Sequence, residues 1–235
     1  MFYPLRQTKR QRLMNAIMEL PGLVAYYPMN ETSGTIAKNY ALATKGTNDG
    51  AIVGATIGQS GKIGKSYSYD GSGDRVTITN NASITPTTAI TLGAIFRKTN
   101  DVGIESGILS NSGGAGQFGA YNLIIKDVTG NDFARVEIDL ATTGAVSILG
   151  TTQLQSNVDY MLIGTYDKAN IRLYLNGLQE SSIARTNDID TTARDTKIGD
   201  HANQIFTGKI QHAFICNQAI SPGQVKELAQ LGGFI

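Results

Sequence analysis

From Leu23 to Cys216 the chain is a succession of short segments in which apolar and polar residues alternate, each closed by glycine, asparagine or aspartate. Period-two alternation places one face of a strand against a core, and the turn residues end each strand after a few steps. The segments Leu23–Tyr27, Lys65–Tyr69, Arg75–Ile78, Ile90–Arg97, Gly107–Ser110 and Tyr121–Lys126 read as strands. So do Ala134–Leu140, Tyr160–Tyr166, Ile171–Leu175 and Lys209–Cys216. Asn176-Gly177 is a strong two-residue hairpin signal, because both positions tolerate positive φ. Ser221-Pro222 opens a short C-terminal helix over Val225, Leu228 and Leu231, with Ser221 as N-cap and Pro222 at N1. Ten or more short strands with marginal helices predict an all-β, two-sheet antiparallel sandwich.

Composition narrows the rest. At 235 residues the chain is long enough to bury a core without metal or disulfide support. Twenty Lys+Arg against nineteen Asp+Glu leave no basic stripe of the kind nucleic-acid binding requires. The single cysteine, Cys216, excludes an internal disulfide and reads as a buried thiol. The two histidines, His201 and His212, leave little scope for a histidine metal site, and His201, in a Gly-Asp-His-Ala-Asn stretch, is expected in solvent. No metal and no cofactor is expected. No segment approaches eighteen apolar residues, so no membrane insertion is expected. The N-terminal stretch is basic but has no apolar h-region, so it does not read as a signal peptide.

Residues 1–20 differ from the rest of the chain. They carry a net charge of +3 through Arg6, Lys9, Arg10 and Arg12 against Glu19, whereas the remainder carries −2. Leu13, Met14, Ile17 and Leu20 recur at helical spacing before Pro21-Gly22. Three readings stand for this segment: a helix packed on its own domain, an assembly arm (Arg10, Arg12, Leu13, Ile17, Leu20) that docks on a neighbouring subunit or scaffold, or a membrane-surface helix, against which the narrow apolar face argues. The predicted division is an arm over 1–20 and a sandwich over 21–235.

Five segments in order carry a family resemblance: Gly22–Gly34 with its Glu-Thr-Ser-Gly loop, Asn48-Asp49-Gly50, Tyr69-Asp70-Gly71 with Asp74-Arg75-Val76, Leu173–Gly177, and Phe206–Ser221. Together they resemble the laminin-G-like branch of the concanavalin A-like lectin and glucanase jelly rolls. The resemblance implies a concanavalin A-like sandwich, and by itself little about function, because that fold carries lectins, enzymes, adhesion modules and viral coat parts. Asn39, Gln211 and His212 stand where family members with bound calcium place acidic ligands, so the resemblance does not extend to that site. Asp70 and Asp74 read as turn caps.

For catalysis the one arrangement of interest is Glu137-Ile138-Asp139, two carboxylates on one strand face. It resembles the Glu-x-Asp of concanavalin-like retaining glucanases, which need a second Glu shortly after; here Leu140, Ala141, Thr142 and Thr143 come next. Sugar-stacking tryptophan is absent. The strand face Arg135-x-Glu137-x-Asp139 is therefore expected to lie in solvent, and the protein is expected not to be an enzyme. Of ten tyrosines, those within strands read as core, while Tyr40 and Tyr121, flanked by Asn39 and Asn122, are the better ligand candidates; the predicted ligand-binding set is Tyr40, Tyr121 and Asn122.

A laminin-G-like sandwich without a catalytic set or secretion signal, preceded by a basic amphipathic arm, fits a bacteriophage or related virion protein made in the host cytoplasm. The expectation is a head-decoration, collar or tail component that contacts itself and a virion scaffold, with weak adhesion to a surface glycan. A closed homo-oligomer is expected on that reading. The first alternative is a carbohydrate-binding or adhesion module of a secreted protein. The second is a glycoside hydrolase or lyase using Glu137.

Overall fold

The computed structural model describes residues 7–235, the Phe118 side chain excepted. Arg6 of the arm lies outside the described residues. Helix α1 (Lys9–Met18) is followed by β1 (Leu23–Tyr27), β2 (Ile36–Ala37), β3 (Gly50–Val53), β4 (Thr56–Ser60), β5 (Lys65–Asp70) and β6 (Arg75–Ile78). The long strands come next: β7 (Ile90–Lys98), β8 (Glu105–Ser112), β9 (Phe118–Val128), β10 (Asn131–Leu140), β11 (Gly144–Gln153), β12 (Asp159–Tyr166), β13 (Asn170–Leu175) and β14 (Leu178–Ala184). Then come β15 (Thr196–Ile198), β16 (Asp200–His201), β17 (Gln204–Ile205), β18 (Thr207–Cys216) and α2 (Pro222–Gly232).

Two eight-stranded antiparallel sheets face one another, as the strand pattern predicts. The first runs β14-β13-β12-β7-β18-β5-β4, with β1 also on β18; the second runs β11-β10-β9-β8-β15-β6-β3-β2. Strand β18 holds two partners on one side, β5 against Thr207–Ile210 and β1 against Ala213–Cys216. A bulge between Gln211 and Phe214 separates them, and His212 takes φ +52° there. Between the sheets lies the main core, where Phe96 packs edge-on against Phe206 at 6.2 Å and Phe206 against Tyr69 at 6.1 Å.

The central strands of the first sheet are buried on both faces. The sheet's outer face carries Ile95, Met161, Ile163, Phe214 and Cys216, which pack under α1 and α2. This explains why β7, β12 and β18 are nearly all buried, whereas β11, on the edge of the other sheet, alternates. Thr8 caps α1 through Gln11 N at 3.1 Å. Ser221 and Gln224 form the reciprocal capping box of α2, with Pro222 in its first turn and Gly233 ending it at φ +67°. The arm expectation is corrected here: Leu13 (0% exposed), Met14, Ile17 and Leu20 are buried in the layer between α1, α2 and their own sheet, so the stripe is spent inside the chain. Arg12 points to solvent and Arg10 is half-buried.

Candidate functional site

Residues 38–49 join β2 to β3 without a strand of their own, and the loop is wound around one side chain. The Asn39 Oδ1 accepts the backbone N–H groups of Tyr26 and Ala41, both at 3.0 Å. Its Nδ2 donates to Thr44 O, Thr44 Oγ1 and Thr47 O at 2.8–3.1 Å. Asn39 is buried, so these bonds leave its amide satisfied without water. The loop is then fastened outward. Thr44 Oγ1 and Asn48 Nδ2 both donate to Val24 O, and Asn48 Nδ2 also reaches Ser83 Oγ at 2.9 Å. Asn81 Nδ2 donates to Asn48 Oδ1.

The result is two adjoining hollows that share Lys45, Gly46 and Asp49. One, of about 420 Å³, has Tyr40, Leu42 and Met18 as apolar walls with Lys38 and Asn39 beside them. The other, of about 640 Å³, is polar, lined by Thr47, Asn48, Thr79, Asn80, Asn81 and Ser83. Tyr40 is 39% exposed, and its ring meets Tyr26 edge-on at 6.3 Å, so one part is buttressed while the rest faces the hollow. Its backbone N–H is fixed to Tyr26 O at 2.8 Å. Asp49 accepts from Asn39 N at 2.8 Å and from Lys38 Nζ at 2.7 Å. Burial works to raise its pKa, but these two donors win and hold the carboxyl below its ordinary value. An aromatic wall, an exposed leucine and a ring of amides and hydroxyls on a pre-tied loop make a site for a polar ligand with apolar faces.

Of the three predicted ligand residues, Tyr40 alone lies here. Tyr121 is corrected: it is fully buried between the sheets, and its hydroxyl is engaged with Ile84 O at 2.8 Å and Thr196 Oγ1 at 2.7 Å. Asn122 is corrected too. It faces the outer side of the second sheet but is 0% exposed and donates to Glu137 Oε1 at 3.0 Å. Glu137 is likewise buried instead of solvated, paired with Arg135, which also binds Glu105 at 2.6 Å. The β16–β17 hairpin folds over the neighbouring strand β8 on this face. Ser110 Oγ donates to Asp200 O at 2.6 Å, and a Cβ on Gly107 would stand 2.3 Å from the backbone of Asp200 and His201. His201, expected in solvent, belongs to that hairpin and is buried against β8, with Nε2 3.5 Å from Glu105 Oε2. His201, then Lys126 and Arg135, outweigh burial and hold the Glu105 carboxyl down to about 2. Asp139 is half-buried, and burial, Asp190 and Glu137 push its carboxyl up.

The remaining residues have structural roles. Asp74 accepts Asp70 N, and Asp70 accepts Ser72 N, as turn caps do. Gln211 accepts Ile63 N at 3.1 Å. Buried His212 contacts Tyr26 Oη at 2.7 Å and Ile63 O at 3.2 Å. A carbonyl only accepts, so Nε2 carries the proton and Nδ1 accepts from the tyrosine. Cys216 is buried, and burial alone raises its thiol pKa. Among the described residues, no group of three or more His, Cys, Asp or Glu is placed to hold a metal ion. No helix of the described residues is long and apolar enough to cross a membrane.

Sequence alone does not single out Lys45, Leu42, Asn81 and Ser83. The available signal is the long interval without alternation after Ala37, rich in Asn, Thr and Lys, but it names a loop and not a cavity.

No curated protein matches the chain significantly. Among solved structures, domain 4 of AbnA, a GH43 extracellular arabinanase from Geobacillus stearothermophilus in complex with arabinotriose, superposes with a TM-score of 0.67 at 17% identity, covering 90% of this chain and 100% of that one. The binding domain of Paraclostridial Mosquitocidal Protein 1 gives 0.65 at 15% identity over 88% of this chain and 52% of that one. The ligand-binding domain of botulinum neurotoxin serotype D in complex with N-acetylneuraminic acid gives 0.66 at 13%, over 93% and 52%. The chain spans about half the length of those two binding domains. At such identities the likeness is one of fold. The Laminin_G_3 family model, however, matches residues 70–226, more than half the chain, and the chain belongs to the concanavalin A-like lectin/glucanases superfamily.

Proposed function

We propose that this chain is a non-catalytic carbohydrate-binding sandwich, and that the hollows of the 38–49 loop are where the sugar sits. The observation that carries this is Tyr40: a ring exposed on the wall of a hollow whose loop is already tied in place by Asn39. A sugar ring offers one apolar face to an aromatic side chain and hydroxyls around its rim. The Tyr40 wall and the amides and hydroxyls of Asn80, Asn81 and Ser83 supply both kinds of partner. A loop ordered before binding loses little entropy on binding. The neighbours solved with arabinotriose and with N-acetylneuraminic acid support the reading.

Two observations favour a binding role over hydrolysis. Glu137 is buried and engaged with Arg135 and Asn122, and Glu105 is held too acidic to exchange protons near neutrality. The virion reading combines the lack of a catalytic set, the lack of a secretion signal and an amphipathic arm available to other subunits, and the structure bears directly on the arm. With that stripe buried on its own sheet, no observation of the structure favours it.

A panel of oligosaccharides screened against the full chain by saturation-transfer NMR tests the proposal. At least one glycan is expected to bind, and Tyr40→Ala is expected to weaken it about tenfold or more, the loss of roughly 1.4 kcal/mol of ring contact. Binding that survives Tyr40→Ala unchanged would remove the site from the account.

A further inference from the structure

The two hollows meet at Lys45, and its charge is uncompensated. Lys38, the other lysine at the site, is neutralised by Asp49 at 2.7 Å. Asp49 is the carboxylate common to both hollows, and its oxygens are already taken by Lys38 Nζ and Asn39 N. Lys45 is exposed and, among the described residues, has no carboxylate within ion-pair distance and no hydrogen-bond partner for its ammonium. Over Lys38, Asp49 and Lys45 the junction carries one net positive charge, set between an aromatic wall and a wall of neutral amides and hydroxyls.

We infer that the site selects acidic oligosaccharides, with a sugar ring on Tyr40, a second ring in the Asn80–Asn81 hollow, and a carboxylate on one of them paired to Lys45. This rests on the glycan reading above and names the class of glycan within it. The geometry argues for a chain over a single sugar, because Lys45 lines both hollows and not one alone. An ammonium accepts no hydrogen bond, so a neutral hydroxyl satisfies it less well than a carboxylate does.

The test uses matched pairs that differ in charge. The full chain is titrated with trigalacturonate and its methyl ester, and with sialyllactose and its methyl ester, at low and high salt. The acid of at least one pair is expected to bind about three- to tenfold more tightly than its ester, the range of one part-exposed charge-assisted hydrogen bond. Lys45→Gln is expected to bring that ratio to about one, and raised salt to shrink it. Lys226→Gln, on the exposed face of α2, is expected to leave the ratio as it was. Equal binding of acid and ester, with loss on Tyr40→Ala, overturns the acidic preference and leaves the glycan site standing. A preference that persists in Lys45→Gln overturns the role of Lys45. Failure of both members of both pairs to bind overturns the inference, and the broader oligosaccharide panel then decides the glycan reading separately.

Discussion

Replacing Leu13 by alanine distinguishes an integral helix from an assembly arm. Leu13 is 0% exposed in the layer that α1, α2 and the first sheet form together, with Ile17 and Leu20 one and two turns on. The substitution removes three carbons, worth about 2.4 kcal/mol at 0.8 kcal/mol per buried methylene. The space left between two helices and a sheet collapses incompletely, which brings the cost to about 3 kcal/mol. For a domain of this size a urea m-value near 3 kcal/mol/M is appropriate, so the unfolding midpoint falls by about 1 M. Arg12→Ala, on the exposed side of the same helix, is expected to change stability by less than about 0.5 kcal/mol. Urea titrations followed by far-UV circular dichroism, with light scattering on the same samples, read both stability and association. A Leu13→Ala chain with an unchanged midpoint and an altered association state would refute the packing argument and restore the arm.

Two further outcomes concern buried polar groups. Burial drives the His212 pKa down from 6.5 to about 4, so the native state holds it neutral while the unfolded chain takes a proton. Its contribution is complete above pH 6.5 and is lost as pH falls toward 4, about 2–3 kcal/mol between pH 7.5 and 4.5. His212→Asn, which tolerates the positive φ, is expected to flatten that part of the stability–pH profile; equal slopes for the two chains would contradict the assignment. Lys98 is 0% exposed and bonded to equally buried Asp132 at 2.8 Å. Asp132→Ala leaves the Lys98 ammonium with Asp101 at 2.6 Å and Ser156 at 3.1 Å, so it is expected to cost about 1–3 kcal/mol, and Asp132→Ala with Lys98→Met to recover much of it; a single variant as stable as the parent in urea would contradict the pair's burial.

The β architecture is legible because alternation is a direct record of burial. Arg75-Val-Thr-Ile and Phe133-Ala-Arg-Val-Glu-Ile-Asp-Leu show every second residue in the core, and the hairpin at Asn176-Gly177 appears with φ of +51° and +85°. Strand β11 escapes such a reading because the exposed Leu149 breaks the alternation after Val146 and Ile148, and Gly150, Thr151 and Thr152 follow it. The face of a strand is less legible than the strand. Asn122 and Glu137 sit on the solvent side by alternation, yet a hairpin from far downstream covers β8 at Gly107 and closes the face beside them. Tyr40 and Tyr121 look alike in sequence, each beside an asparagine. Tyr121 is drawn into the core by its place in β9, and Tyr40 is left at the surface by a loop wound around Asn39. The helical stripe of α1 is visible in the sequence, but what it packs against depends on the first sheet having an apolar outer face. That is apparent only from the two-sided burial of β7, β12 and β18.

The central claim is that the 38–49 loop holds a sugar. The most direct measurement is an amide-resolved chemical-shift map of the full chain with the tightest oligosaccharide of the panel. The account predicts perturbations at residues 38–49 and 79–83, with the largest around Tyr40 and Lys45. Perturbations centred on the outer face of the second sheet, around Asp139 and Ser147, with the loop unmoved, would contradict it.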